Sequence, residues 1–285
     1  MGDTICEALH NWCIEIFGGD VFVDAEKILS LNPSTGDYLE MWKIATKIYD
    51  NVCIPIGMGL VLIYFCANLI EKALQQNFDL EHVVKLLLKL GLGLYFIEHG
   101  LEIMAAIYSM SFSFVADITD IAKKDFAFKN NYGEKVWENL TGEKYKDCDW
   151  SNLEAIGYFI GYGLSLLIPW LVIKVLKVVV NFVCYTRLIE FYIRTATAPI
   201  ALSDFFTEGL HGNGWKFIKG YIAMALQSGI IMLAIVVFNT LGASILGSGV
   251  SNYWTSVIKY LALAFATVGV MLKSLSLTKE IIGTN

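Results

Sequence analysis

Apolar residues along the chain form long runs separated by short polar segments, and this pattern predicts membrane-spanning helices. A helix needs about 20 mainly apolar residues to cross the hydrocarbon core of a bilayer. We interpret five runs as spans: residues 51–70, 83–97, 155–173, 217–243 and 254–272. The pattern therefore predicts an all-α polytopic membrane protein with about five transmembrane helices, together with interfacial or re-entrant helices.

The second apolar region, residues 83–118, is too long for one ordinary span, and the polar sequence Glu98-His99-Gly100 interrupts it. We interpret residues 83–97 as crossing most of the bilayer. Residues 101–118 would then form an interfacial, re-entrant or partly spanning helix.

Four consecutive segments follow from these boundaries. They are an extracytoplasmic or interfacial N-terminal segment with an amphipathic stretch (1–47), a first transmembrane region (48–118), a polar loop (119–152) and a C-terminal transmembrane region (153–285). No repeat of about 20 to 50 residues occurs, and the two halves do not mirror one another. The absence of such repeats disfavours a secondary transporter.

The orientation of the chain follows from lysine and arginine near the ends of the spans. An N-terminus outside the cell places most of these residues on the cytoplasmic side: Lys72, Lys85, Lys89, Lys174, Lys177, Arg187, Arg194, Lys216, Lys219, Lys273 and Lys279. The short outer segment 242–252 then has none, although Lys43, Lys47 and the six lysines of loop 119–152 count against the arrangement. We expect the N-terminus and loop 119–152 outside the cell, and the C-terminus in the cytoplasm of a bacterium.

The composition agrees with a membrane protein, with 56% hydrophobic residues, 17% charged residues and a mean hydropathy of +0.56. The net charge of −6 is spread over several segments and leaves no basic face for sequence-specific binding to nucleic acids.

The six cysteines include no CxxC pair and no zinc-like spacing. Cys53, Cys66 and Cys184 lie in apolar runs and are expected to be packing residues. Cys6, Cys13 and Cys148 would share the outer compartment, where one disulfide is an open alternative.

Three charged residues follow the third span at helical spacing. Arg187 and Glu190 are three residues apart, and Glu190 and Arg194 are four apart, so a helix places all three on one face. Pro199 then predicts a bend or the end of the helix. We call the segment from Arg187 to Pro199 the elbow. It is either an ordinary series of ion pairs on a helix that enters water, or a functional surface that couples to a cytoplasmic partner or lines a pore.

A second polar cluster consists of Glu98, His99 and Glu102. These residues are spaced so that a helix brings them close, and a metal or proton site is conceivable. The other interpretations are a functional polar lining and a simple interfacial break between two helices.

Gly157 and Gly161 form a GxxxG motif in the third span. Such a motif lets helix backbones approach closely. The contact lies either within one subunit or between subunits.

No sequence motif indicates catalysis. The glycine-rich segment 209–216 lacks the spacing of a phosphate-binding loop, and there is no GxSxG, HExxH or plausible Cys-His pair. We therefore expect a protein that is not an enzyme and that has no cofactor or metal.

The block "YTRLIEFYIRTATAPIALSDFFTEGLHGNGWKFIKGYIAMALQSGIIMLAIVVFN", residues 185–239, resembles a known family. It is similar to the TrbL/VirB-type polytopic inner-membrane subunit of type IV secretion systems, in the short versions from conjugative elements of Gram-positive bacteria. The matching features are an arginine-bearing helix before Ala198-Pro199-Ile200-Ala201, the glycines at 209, 212 and 214, and "FIKGYIAMALQ" at 217–227. The ending "KSLSLTKEIIG", 273–283, is also similar.

The resemblance implies a non-enzymatic membrane subunit that forms or scaffolds the translocation channel of a conjugative type IV secretion system. Its implied partners are membrane lipid, further copies in a ring, cytoplasmic ATPases that supply energy, extracytoplasmic channel proteins and, transiently, single-stranded DNA. Loop 119–152 is much shorter than in many Gram-negative members. The alternatives are a small-solute or ion transporter and a purely structural scaffold.

Overall fold

A computed structural model describes residues 2–18, 21–30, 32, 38–74, 80–125, 132–141, 153–208, 212–247 and 253–283, and every regular element in these ranges is helical. The helices are α1 (Gly2–Phe17), α2 (Val23–Ser30), α3 (Leu39–Ile48), α4 (Ile54–Leu74), α5 (Leu80–Glu98), α6 (Gly100–Asp125), α7 (Tyr132–Thr141), α8 (Leu153–Leu202), α9 (Phe205–Glu208), α10 (Asn213–Gly247) and α11 (Tyr253–Ile282). A π-helical turn, Tyr49–Cys53, joins α3 to α4 without a break. The all-α prediction is confirmed.

Five helical stretches in the described part of the chain are long and apolar enough to cross a membrane, as the sequence predicted. They are Leu39–Leu74, Gly100–Lys124, Phe159–Leu202, Asn213–Leu246 and Trp254–Ile282. Many of their large apolar side chains are exposed, as lipid contact requires.

The predicted division of the second apolar region is wrong. The break is where the sequence placed it, because α5 ends at Glu98 and α6 begins at Gly100. However, the candidate span is α6, and α5 does not qualify. Charged residues at 81, 85 and 89 fall inside α5, so its apolar run is shorter than its helix.

The first span is longer than the sequence predicted. Its helix begins at Leu39 rather than at residue 51, because α3 continues through the π-helical turn into α4. The predicted boundary at residue 47 therefore falls inside a continuous helical stretch.

The contacts divide the chain into two compact units. One comprises Met1–Leu29, Ala116–Cys184 and Ile230–Ser274. Helix α1 packs on α7 in this unit so closely that a Cβ on Gly133 would lie 2.6 Å from Ile14 Cα. An aromatic group strengthens the core, since the Phe17 and Phe238 rings lie 5.5 Å and 5.3 Å from the Tyr260 ring.

The other unit comprises Ser30–Val115, Tyr185–Gly229 and Leu275–Asn285. Its core contains the fully buried rings of Tyr49, Phe206 and Tyr221. The Tyr49 hydroxyl donates to the Ile97 carbonyl oxygen at 2.7 Å, which ties the first span to the end of α5.

Helix α8 does not end at the predicted proline. It continues through Pro199 and ends one turn later, at Leu202. The Pro199 carbonyl accepts the Ser203 N–H at 3.1 Å, and the Asp204 carboxylate accepts the Asn213 N–H at 2.6 Å, at the first residue of α10. A carboxylate at a helix N-terminus is favourable because it compensates unpaired N–H groups there.

Candidate functional site

Arg187 joins α8 to α10 inside the second unit. Its side chain is buried, and its Nε donates to the Met224 carbonyl oxygen at 3.0 Å. Its Nη2 donates to the Ala225 carbonyl oxygen at 3.2 Å and to Ser228 Oγ at 2.6 Å. The planar guanidinium thus spreads its charge over several oxygens of one helix turn, which lowers the cost of burying it.

Helix α6 completes the same cluster. Ser111 Oγ lies 2.6 Å from Ser228 Oγ and also bonds to the Ala225 carbonyl oxygen. One residue beyond Ser228, a Cβ on Gly229 would collide with the Phe114 ring of α6. Arg187 therefore lies where three helices of this unit meet.

Glu190 and Arg194 form the ion pair that their spacing predicted. Arg194 Nη2 lies 2.5 Å from Glu190 Oε1, with about 30% of each side chain exposed: 27% for Arg194 and 32% for Glu190. Arg194 also lies against α10, because a Cβ on Gly220 would be 3.3 Å from its Nη1. The elbow thus contains a buried arginine and, one to two turns later on α8, a half-buried pair that reaches the surface.

The cluster Glu98, His99 and Glu102 does not share one environment. Glu98 and Glu102 are exposed. The His99 ring stacks on Tyr95 with centroids 4.3 Å apart, and its Nδ1 is buried without a hydrogen-bond partner in the described part of the chain. Across the described ranges, no three His, Cys, Asp or Glu side chains are grouped as metal ligands.

The two GxxxG glycines are open. Gly157 and Gly161 are exposed, and among the described residues nothing lies within 4 Å of a Cβ built on either of them. Gly163 differs, since its built Cβ would lie 3.3 Å from Leu9 Cδ2 of α1. The GxxxG motif was interpreted as a contact either within one subunit or between subunits. Among the described residues, Gly157 and Gly161 make no close contact of the first kind.

A second charged cluster lies in the first unit and was not predicted from the sequence. Glu15 of α1 forms ion pairs with Lys174 and with Lys177 of α8, the latter at 3.4 Å. The Trp170 Nε1–H donates to Glu15 Oε2 at 2.9 Å, and the Trp12 and Trp170 rings stack at 5.1 Å. Two lysines one turn apart in an apolar helix require a partner, and that signal was available in the sequence.

This contact bears on the predicted sidedness. Lys174 and Lys177 were expected on the cytoplasmic side and residues 1–47 outside the cell, whereas Glu15 contacts both lysines. The orientation of the chain in the membrane stays a prediction.

Electrostatics at Glu15 favour the charged form. Burial by itself raises the pKa of Glu15, but the hydrogen bonds from Lys174 and Trp170 and the charges of both lysines outweigh it and lower that pKa. The carboxylate is therefore ionised at neutral pH, and it attaches α1 to α8.

Helix α1 also packs against α7, which lies within the predicted loop 119–152. His10 Nε2 is 3.0 Å from Glu134 Oε2, and Cys13 Sγ donates to the Gly133 carbonyl oxygen at 3.5 Å. Burial, with a smaller effect of Glu134, raises the pKa of the Cys13 thiol to about 12. Cys6 is in a disulfide, whereas Cys13, Cys53, Cys66 and Cys184 are in the reduced thiol form and Cys148 lies outside the described residues.

Comparison with known proteins supports the resemblance. A family of TrbL/VirB6 plasmid conjugal transfer like proteins matches residues 30–199, more than half of the chain and including Arg187, Glu190 and Arg194. Much of the resemblance described above falls in segments 200–239 and 273–283, which lie outside the match. No curated protein and no solved structure matches the chain. The chain belongs to the TrbL/VirB6 plasmid conjugal transfer like family, and it is a multi-pass membrane component of a bacterial conjugal transfer system.

Proposed function

We propose that this protein forms or scaffolds the channel through which a conjugative type IV secretion system moves DNA or protein across the cell membrane. The chain would not be an enzyme, and partner ATPases would supply the energy. The observation that carries the proposal is the elbow of α8, in which Arg187 is buried against α10 while the Glu190–Arg194 pair stays partly exposed. Charged groups on an apolar helix are costly, so they are retained where they serve a function.

The Glu190–Arg194 pair is the part of the elbow that we assign to partner contact. Arg187 uses its donors within the subunit, whereas Glu190 and Arg194 present charge at the surface. Lys216 and Lys219, near the start of α10, add positive charge to the same unit. We expect this surface to face the cytoplasm and to bind the ATPases or the entering cargo, single-stranded DNA included, through charge complementarity.

We further propose a ring of identical subunits, since closed cyclic symmetry is common among homo-oligomers and would leave a central path. The open Gly157 and Gly161 support a contact between copies. The disulfide at Cys6 supports an N-terminus outside the cell, where disulfides persist. Loop 119–152 and its helix α7 would then meet extracytoplasmic channel proteins.

Transfer frequency in a deletion strain tests the proposal. The wild-type gene is expected to restore transfer, and the Arg194→Glu variant is expected to insert into the membrane normally but to fail in transfer. Normal transfer by a strain that lacks the gene would refute the proposal.

A small-solute or ion transporter is the second candidate, and the unpartnered Nδ1 of His99 at the break between α5 and α6 favours it. Uptake by liposomes that contain only the purified protein would support this candidate.

A pure scaffold is the third candidate. Cross-linking from single cysteines to DNA in transit separates it from a conduit, because only a conduit places its side chains against the moving strand.

A further inference from the structure

Helix α6 has two unlike faces in the second unit. The inner face carries Met104, Ser111 and Val115, which are all buried, and Ser111 belongs to the Arg187 cluster. The opposite face is exposed and polar. Glu102, Ser109 and Ser113 follow one another at spacings of seven and four residues, which places them along one side of the helix axis. Glu98, the last residue of α5, lies four residues before Glu102 and is exposed as well.

Neither Glu98 nor Glu102 has a polar partner in the described part of the chain, since they form no hydrogen bond and no ion pair there. The hydroxyls of Ser109 and Ser113 donate to the carbonyls of Ala106 and Ser109, at 2.8 Å and 3.1 Å. The serines could therefore face lipid, but the carboxylates could not do so without a large penalty.

The position of α6 in the sequence makes this face significant. Gly100–Lys124 is one of the five candidate spans and the least apolar of them. In the first unit, which contains the remainder of α6, Asp117 and Asp120 are exposed as well. A spanning helix with an exposed acidic face needs water or a polar neighbour along that face.

We propose that the face of α6 defined by Glu102, Ser109 and Ser113, with Glu98 of α5 just before it in the chain, borders a water-filled path through the membrane. The inference rests on the proposed channel function and names the helix face that lines the path. The lining is acidic, so it repels phosphate groups, and a DNA strand would pass along it without adhering. It favours small cations over small anions.

Reaction of single cysteines with a charged, water-soluble methanethiosulfonate reagent tests this proposal in living cells. The background chain carries serine in place of the four free cysteines, keeps the disulfide at Cys6, and must support transfer. The variants on the face are Glu102→Cys, Ser109→Cys and Ser113→Cys. The matched controls are Met110→Cys on the same helix and Ile63→Cys on α4, which are exposed apolar positions within candidate spans.

We expect the three variants on the face to react roughly 100-fold faster than the controls, because an apolar environment raises a thiol pKa by about two units or more and removes the reactive thiolate. A positively charged reagent should also react faster than a negatively charged one at Ser109→Cys. Adding Glu98→Gln and Glu102→Gln should reduce that preference.

Equal reaction rates at the face and at the controls would overturn the proposal. If wild-type protein restores transfer but the rates are equal, the lining is wrong and the channel function stands. If the face reacts quickly but a strain lacking the gene transfers normally, the proposed function fails and the aqueous face stands.

Discussion

Arg187 on α8 and Ser228 on α10 are 41 residues apart in the chain, yet Nη2 of the arginine lies 2.6 Å from the serine Oγ. The same guanidinium donates to two carbonyl oxygens of α10. These bonds fix Arg187 in place and give it a packing role in its unit. The surface charge of the elbow therefore depends on Glu190 and Arg194, two residues that share one helix face.

Reversing the charge at Arg187 should destabilise the protein strongly. In Arg187→Glu, a carboxylate would face the carbonyl oxygens of Met224 and Ala225, which can only accept hydrogen bonds. An uncompensated buried charge costs about 3–5 kcal/mol. Unfolding of the purified protein in detergent measures this loss, and Arg187→Lys, which keeps a donor, should lose less.

A variant that combines Arg187→Glu with Arg194→Glu would not isolate the role of the surface charge in transfer. Because Arg187 is buried, loss of transfer in that double variant would also follow from misfolding. An Arg187→Glu protein as stable as the wild type would contradict the packing role.

Two glycines of α4 should respond differently to alanine. A Cβ on Gly57 would lie 2.7 Å from the Pro199 carbonyl oxygen, whereas nothing among the described residues lies within 4 Å of a Cβ on Gly59. Overpacking of this kind costs roughly 1–3 kcal/mol, so Gly57→Ala should lower the free energy of unfolding. Gly59→Ala should leave it unchanged or raise it by up to about 1 kcal/mol, because alanine favours helix. Equal effects of both changes would contradict the close contact.

Acid should weaken the attachment of α1 to α8 through Glu15. The pKa of Glu15 is lowered from its ordinary value of 4.5, so the stabilisation is fully present above about pH 4.5 and is lost as the pH falls through the lower folded-state value. The wild type should be more stable than Glu15→Gln at pH 7. The difference should shrink as the pH falls below 4.5. Thermal unfolding of both proteins between pH 7 and pH 3 measures it, and a pH-independent difference would contradict the ion pairs.

Cys13 should resist alkylation in the folded protein. With a pKa of about 12, only about one thiol in 10,000 is ionised at pH 8, and the thiolate is the reactive form. Mass spectrometry after treatment with iodoacetamide should find Cys13 unmodified in native protein and modified after denaturation. Rapid modification in the native protein would show that α1 and α7 separate in solution.

Local patterns in the sequence predicted the features that depend on neighbours along the chain. The Glu190–Arg194 pair follows from a spacing of four residues, and the break at His99 follows from three consecutive non-apolar residues. The number of spans follows from the length of the apolar runs. These features need no knowledge of tertiary contacts.

Contacts between residues that are far apart in the chain were not predicted from the sequence. The partners of Arg187 lie 37 to 41 residues away, and Glu15 and Lys177 are 162 residues apart. No periodicity within one helix reports such contacts. The choice between α5 and α6 as the span failed for a different reason, because the predicted run began at residue 83 and so left out the charge at Glu81.

Transfer frequency with the Arg194→Glu variant tests the central claim most directly. Expressed in a strain that lacks the gene, this variant should reach the membrane at normal levels. Transfer should fall at least tenfold, since reversing a charge at an interface costs about 1.4 kcal/mol or more. The control is Lys43→Glu, which reverses a charge in the exposed Glu40–Lys43 pair and should transfer normally. Wild-type transfer by Arg194→Glu would contradict the assignment of this elbow as the coupling surface of the channel.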